Sequence, residues 1–256
     1  MNRYRFNEEE HVHLLDEKPL QGTSTVTSII AKVLTWWASG CAVSELGWTN
    51  SKTTDEKKRI EIATNHLEAI KLLSPIEWLK KLDSAYSAHS KTLKKSATKG
   101  SDLHYELEKW VKGQISGNPI EPDEKILKFV QWAEKNVKRF IASEVHCYSE
   151  TYWLGGICDV IWEMNDGTII IGDFKSAKEV YLSHFVQVAG YHLQLEENGG
   201  FDKDGNKILE LEKVGGYAVV PFGTESGIPR FRYDTDKKVE AFKAALELYK
   251  QNKDFN

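Results

Sequence analysis

The stretch from Gly155 to Lys178, GGICDVIWEMNDGTIIIGDFKSAK, constrains this chain more than any other. Two runs rich in β-branched and aromatic residues, ICDVIWEM and GTIIIGDF, flank Asn165-Asp166-Gly167. Such runs suit pleated strands, and Asp-Gly readily supplies the positive φ angles of a tight turn. An antiparallel hairpin is therefore expected. Alternation along its second strand puts Asp173 and Lys175 on one face and Phe174 on the other. Asp159 and Asp173 are equidistant from Asp166, which places them near each other across the ladder. Two carboxylates suit a divalent cation, and the amine suits a water or phosphate polarised beside it. A solvated hairpin with scattered charges has the same short spelling, so the flanking segments carry the weight.

Downstream, EVYLSHFVQVAGYHLQLEEN has apolar residues at helical spacing: Val180, Phe185, Val188, Ala189, Leu193 and Leu195. Gln187 and Tyr191 are four apart and share a face. Their polar tips reach toward a phosphate or base near the carboxylates, or merely edge an amphipathic helix. Upstream, KGSDLHYELEKWVKG reads as a helix capped by Ser101 or Asp102, with His104 and Glu108 on one face. Neutral imidazole ligates transition metals and is tolerable for Mn²⁺. Between them Glu144 heads a strand expected to pair with the one carrying Asp159. It is either a further carboxylate for the ion or simply the first residue of a strand.

Taken in order, His104, Glu144, Asp159, Asp173-x-Lys175 and Gln187-x-x-x-Tyr191 resemble the RecB-like branch of the PD-(D/E)XK nucleases, over roughly residues 100 to 195. The segment PLQGTSTVTSIIAKV, with its hydroxyls from Ser24 to Ser28, is similar to the opening of phage-type members. The resemblance implies a restriction-endonuclease-like α/β fold. It maps metal ligands to His104, Asp159, Asp173 and the backbone carbonyl of Phe174, with Glu144 as a looser match, and gives Lys175 the catalytic lysine position. Gln187 and Tyr191 take the helix motif that arranges site and strand. The implied activity is Mg²⁺- or Mn²⁺-dependent DNA cleavage, by an exonuclease of phage or mobile-element recombination and repair. A sequence- or structure-specific endonuclease and a nuclease-derived DNA-binding module are the alternatives. Implied partners are single-stranded DNA or duplex ends, with a helicase, recombinase or single-strand-binding protein. The two neighbouring Asp residues favour a protonated Lys175, suited to steadying charge on phosphate rather than taking a proton.

Along the chain a short strand or hairpin is expected over 1–20 and helix over 25–47, with Trp36 and Trp37 partly buried. Helices follow over 55–73 and 75–95, broken at Pro75. In EKILKFVQWAEKNVKRFIA a stripe of Ile126, Phe129, Val130, Ala133, Val137 and Phe140 predicts one helix, with Lys135, Lys138 and Arg139 on its solvated face. Strands near 144–150, 153–163 and 168–175, a helix over 180–197, two further strands (VGGYAVVPF, PRFRYD) and a closing helix complete a mixed sheet flanked by helices. The expected division is a mostly helical region, 1–100, packing on a nuclease core, 101–256.

The net charge of −4 weighs against a protein that coats nucleic acid at large, but not against one with a local basic stripe. HSKTLKKSATKG, with Lys91, Lys94, Lys95 and Lys99, is that stripe or a flexible linker. Trp48 and Trp153 are candidates for base stacking, although burial is the commoner fate of Trp. Three Cys without a C-x-x-C pair predict neither an iron–sulfur cluster nor structural zinc. With no apolar run of membrane length and a polar N-terminus, the expectation is a cytoplasmic protein of a bacterium or a phage-infected host.

Overall fold

The computed structural model describes residues 2–30, 35–48, 55–177, 179–211, 213–222 and 227–254; at 35, 36, 95–99 and 254 it describes the backbone alone. The chain opens with a small antiparallel sheet of β1 (Tyr4–Asn7), β2 (Val12–Leu15) and β3 (Lys18–Pro19). Asp16 and Glu17 take positive φ at the turn, and Arg3 and Arg5 pair with them. Then come β4 (Gln21–Gly22) and the one-turn α1 (Thr23–Thr27), which passes into a 3₁₀ turn at Ser28–Ile30. The helix expected over 25–47 is thus interrupted at Ser28–Ile30; α2 covers Thr35–Glu45, and Trp37 is 37% exposed.

α3 (Glu56–Lys71) is capped by Asp55, which accepts from Lys57 N and Lys58 N. α4 (Pro75–Ser116) begins at a reciprocal cap: Ser74 N donates to Glu77 Oε2 at 2.8 Å and Glu77 N to Ser74 Oγ at 3.3 Å. Pro75 occupies the first helical position, where its missing N–H costs nothing. The helix then runs straight through the expected linker 91–99 and through Ser101 and Asp102, which are not its cap. Nothing in HSKTLKKSATKG forbids helix, since it lacks Pro, and one Gly costs only about 1 kcal/mol against Ala. Gly100 has a packing reason, because a Cβ there would lie 3.2 Å from Ser176 Oγ.

α5 (Leu127–Asn136) is shorter than its apolar stripe predicts, and β5 (Val137–Ser149) takes over at Val137. Lys135 is helical as expected, but Lys138 and Arg139 are on the strand. Both donate to the buried Glu163 at 2.6 Å. Pairing with the next strand overrides the helical period here. The expected hairpin forms as β6 (Leu154–Met164) and β7 (Ile169–Lys175), with Gly167 at φ +87° in its turn. α6 (Leu182–Asn198), β8 (Gly200–Phe201), β9 (Lys207–Leu209), β10 (Val214–Pro221), β11 (Arg230–Arg232) and α7 (Thr235–Asp254) finish the chain.

The main sheet has the order β11-β10-β7-β6-β5-β8-β9, with β4 also pairing with β6. β10 returns parallel to β7 after α6, whereas β5, β6 and β7 form an antiparallel meander, so the sheet is mixed. One face packs Ile161, Ile169, Ile171 and Val219 against Val188 and Ala189 of α6 and Phe242 of α7. The other packs Val160, Trp162, Ile170 and Phe174 against Leu107 and Val111 of α4 and Phe129 of α5. The described residues divide into two compact units, 1–31 with 100–256, and 32–99. The first 31 residues thus belong with the sheet rather than with a helical region ending at 100. The reason is local: Gln21 and Gly22 pair in parallel with Leu154 and Gly155, and Thr23 Oγ1 donates to Gly155 O at 3.1 Å.

The small sheet seats tightly at Gly155, where an added Cβ would stand 2.4 Å from His13 Cβ. Gly155→Ala is therefore expected to destabilise the fold by about 2–3 kcal/mol, the usual cost of overpacking. Urea unfolding measures this; an unchanged midpoint would mean that His13 does not pack there. Among the described residues no helix is long and apolar enough to cross a membrane.

Candidate metal centre

Two strands lose their alternation at the same level. In β5 both Ala142 and Val145 face the α6 side, and Glu144 between them has φ +51°. In β6 both Cys158 and Ile161 face that side, while Val160 faces the other. Ser143 pairs with Val160 and Val145 with Cys158, so Glu144 and Asp159 stand opposite each other at the irregularity. A positive φ on a residue with a Cβ is strained and persists only where surroundings impose it. Here it turns a carboxylate toward Asp159. His104 arrives from α4, its ring edge-on to Phe174 at 6.2 Å. One ligand atom each from His104, Glu144 and Asp159 lies within 4.8 Å of the others.

Asp173 and Lys175 lie beside this group. The β6–β7 ladder stops at Val160↔Gly172, one step before the Asp159–Asp173 level. Beyond that point Asp159 Oδ2 accepts from Phe174 N at 2.6 Å and stands 3.8 Å from His104 Nδ1. Lys175 Nζ donates to Asp173 Oδ1 at 2.8 Å. Phe174 points the other way, into the aromatic cluster with Phe129 and Phe222. Asp173 Oδ2 is buried and bonds to no protein group among the described residues. A buried carboxylate oxygen without a donor is costly, and a cation is one partner that would satisfy it.

Burial and mutual repulsion shift the ionisable groups of this cluster. Burial, then Asp159 and Glu108, push the Glu144 carboxyl up to about 8. Burial also raises Asp173, to about 6, with Lys175 pulling against it and Asp159 adding to it. For Lys175 burial works toward loss of the proton, yet Asp173 and Asp159 outweigh it and the net shift is upward. The amine is therefore an ammonium at neutral pH. Glu108, one turn beyond His104, faces Glu144 and is itself held by Lys112.

Gln187 Nε2 donates to Tyr191 Oη at 2.6 Å. Tyr191 is buried against this centre; burial first, then Asp173 and Asp159, push its phenol well up. Gln187 is half-buried, the more accessible member of the pair. Lys94 is exposed on α4, in the unit of 32–99, and the side chains of Lys95 and Lys99 lie outside the described residues. Trp153 is 40% exposed with φ +57°, and its indole N–H donates to Pro19 O at 3.0 Å; Trp48 is half-buried. Cys147 and Cys158 are buried thiols and Cys41 is half-buried. The pattern reading missed His184, three residues before Gln187 on the same helical face; both Lys175 and Asp173 act on its ring. Extending the Gln187–Tyr191 face back one turn would have found it.

No protein-family model matches this sequence, and no curated protein is significantly similar to it.

Proposed function

We propose that this protein is a divalent-metal-dependent deoxyribonuclease on a restriction-endonuclease-like core, acting as an exonuclease in phage or mobile-element recombination and repair. The observation that carries the reading is the meeting of His104, Glu144 and Asp159 beside a buried Asp173–Lys175 pair with an unsatisfied Oδ2. Those donors fit Mg²⁺ or Mn²⁺, hard cations that take carboxylate oxygens and, for Mn²⁺, an imidazole. His104, Asp159 and Asp173 would hold the ion, with the Phe174 carbonyl and Glu144 as further oxygens. Bound there, it would polarise a phosphate and lower the pKa of a water. Lys175, kept protonated by its neighbours, steadies negative charge as it builds on the phosphate. Tyr191 and Gln187 brace the wall behind Asp173. Substrate is expected to be single-stranded DNA or duplex ends, delivered with a helicase, recombinase or single-strand-binding protein.

Labelled linear, single-stranded and closed circular DNA, incubated with Mg²⁺ or Mn²⁺ and with a chelator, tests the activity. Cleavage from ends that stops on chelation is expected; cutting of closed circles would make the enzyme an endonuclease. Titrating Mn²⁺ in a thermal melt tests the centre separately. Wild type is expected to rise by several degrees at about a hundredfold excess over Kd, equivalent to about 2.7 kcal/mol, and Asp159→Asn not to rise. No cleavage and no metal-dependent shift would end the proposal.

A further inference from the structure

We propose that His184 binds a phosphate of the substrate strand beside Lys175, donating through Nε2; this rests on the nuclease reading above. His184 is in the first turn of α6, and only residues 176–180 separate Lys175 from Tyr181, where that helix is capped. The Tyr181 backbone N–H donates to His184 Nδ1 at 3.3 Å. A neutral imidazole carries one proton, so an accepting Nδ1 places it on Nε2. The Tyr181 ring, edge-on at 5.4 Å, limits the swing of the imidazole.

The tautomer therefore presents a fixed N–H donor. Burial first, then the Lys175 charge, lower the proton affinity of His184 against the pull of Asp173. Nε2 bonds to no protein group among the described residues. The ring is half-buried, whereas Tyr191 two turns deeper on the same face is buried. His184, Gln187 and Tyr191 thus share one face of α6, half-buried at His184 and Gln187 and buried at Tyr191. An anion drawn to the Lys175 ammonium meets this N–H next, and phosphate oxygens accept such bonds well. Neither composition nor the Gln187-x-x-x-Tyr191 pattern assigns this role.

Two variants separate binding from capping. His184→Asn keeps an oxygen near the Nδ1 position for Tyr181 N–H but removes the outer donor. His184→Gln restores a donor near the Nε2 position. A labelled single-stranded oligonucleotide is titrated in Ca²⁺, and cleavage is followed in Mn²⁺. His184→Asn is expected to bind about tenfold more weakly or worse, as for a lost bond to a charged group. Its KM should rise more than its kcat falls, with the melting temperature unchanged, and His184→Gln should recover most of the binding. An asparagine variant that binds like wild type overturns the proposal, as does equal loss in both variants with a lowered melting temperature. A wild type that neither binds nor cuts any polynucleotide fails the nuclease reading itself; an active wild type with indifferent variants fails only the assignment of His184.

Discussion

Asp173→Asn is expected to abolish cleavage and at the same time to stabilise the metal-free protein at neutral pH. The carboxyl of Asp173 ionises at about 6 in the fold, against 3.8 when free, because burial opposes its charge. At pH 7 its ionisation therefore costs the folded state about 3 kcal/mol. An amide of the same shape removes that charge, and with it a ligand for the ion. Lys175→Ala is expected to lose activity too, by about 10²–10³ in kcat for a lost charge-stabilising donor. Its effect on stability has the opposite sign. It strips Asp173 Oδ1 of its partner at 2.8 Å and strands a buried carboxylate. Cleavage rates paired with urea unfolding read both effects. Retained Mg²⁺-dependent cleavage by either variant would remove the pair from the chemistry.

The acid response is expected to be smaller in wild type than once the carboxylates are neutralised. Burial and the neighbouring imidazoles lower His13 to about 3; His146 falls to about 4, chiefly through burial. Their rings lie 5.9 Å apart around Phe6, and Tyr4 Oη bonds to His13 Nδ1 at 2.7 Å. His11, Glu8, Asp202 and Lys112 also bear on them. A depressed imidazole contributes stability above its free value of 6.5 and loses it as pH falls, since the unfolded chain takes up the proton first. Between pH 6.5 and 4.5 the two histidines together lose about 4 kcal/mol.

Glu144 and Asp173 run the other way. Their folded values of about 8 and about 6 exceed the free ones. Over the same interval they return about 4 kcal/mol as the unfolded chain stays ionised longer. Through these four groups the metal-free wild type should change little between pH 6.5 and 4.5, and His184 and His192, both lowered chiefly by burial, add a loss on the acid side. The Glu144→Gln/Asp173→Asn double variant should fall steeply, and His146→Phe in that background should recover about half. Chemical denaturation at each pH decides it. A flat profile in the double variant would show that the imidazole cluster is not buried uncharged.

Much of the centre was legible in local pattern. The Asn165-Asp166-Gly167 turn and the flanking strand runs are short-range features, so the hairpin brings Asp159 level with Asp173 and Lys175, although the ladder ends one step short and the Phe174 N–H to Asp159 bond completes the approach. Spacing of four likewise sets Gln187 over Tyr191 on α6. Elsewhere a local pattern was outvoted. Val137 and Phe140 continue a helical stripe, yet the ladder with β6 and the ion pairs of Lys138 and Arg139 to Glu163 draw them into a strand. Ser101 and Asp102 resemble a cap, yet nothing in the preceding segment stops α4.

The sequence by itself determined the hairpin, the helix carrying Gln187 and Tyr191, and the identity of the carboxylates and amine available for chemistry. Each depends on periods of two or four residues, which hold over a few bonds of chain. Only the tertiary structure decided that Glu144 turns inward through a left-handed backbone, that His104 on a continuous α4 meets Asp159, and that the first 31 residues belong to the sheet. Those outcomes rest on contacts between residues far apart in sequence, whose energies no local pattern contains.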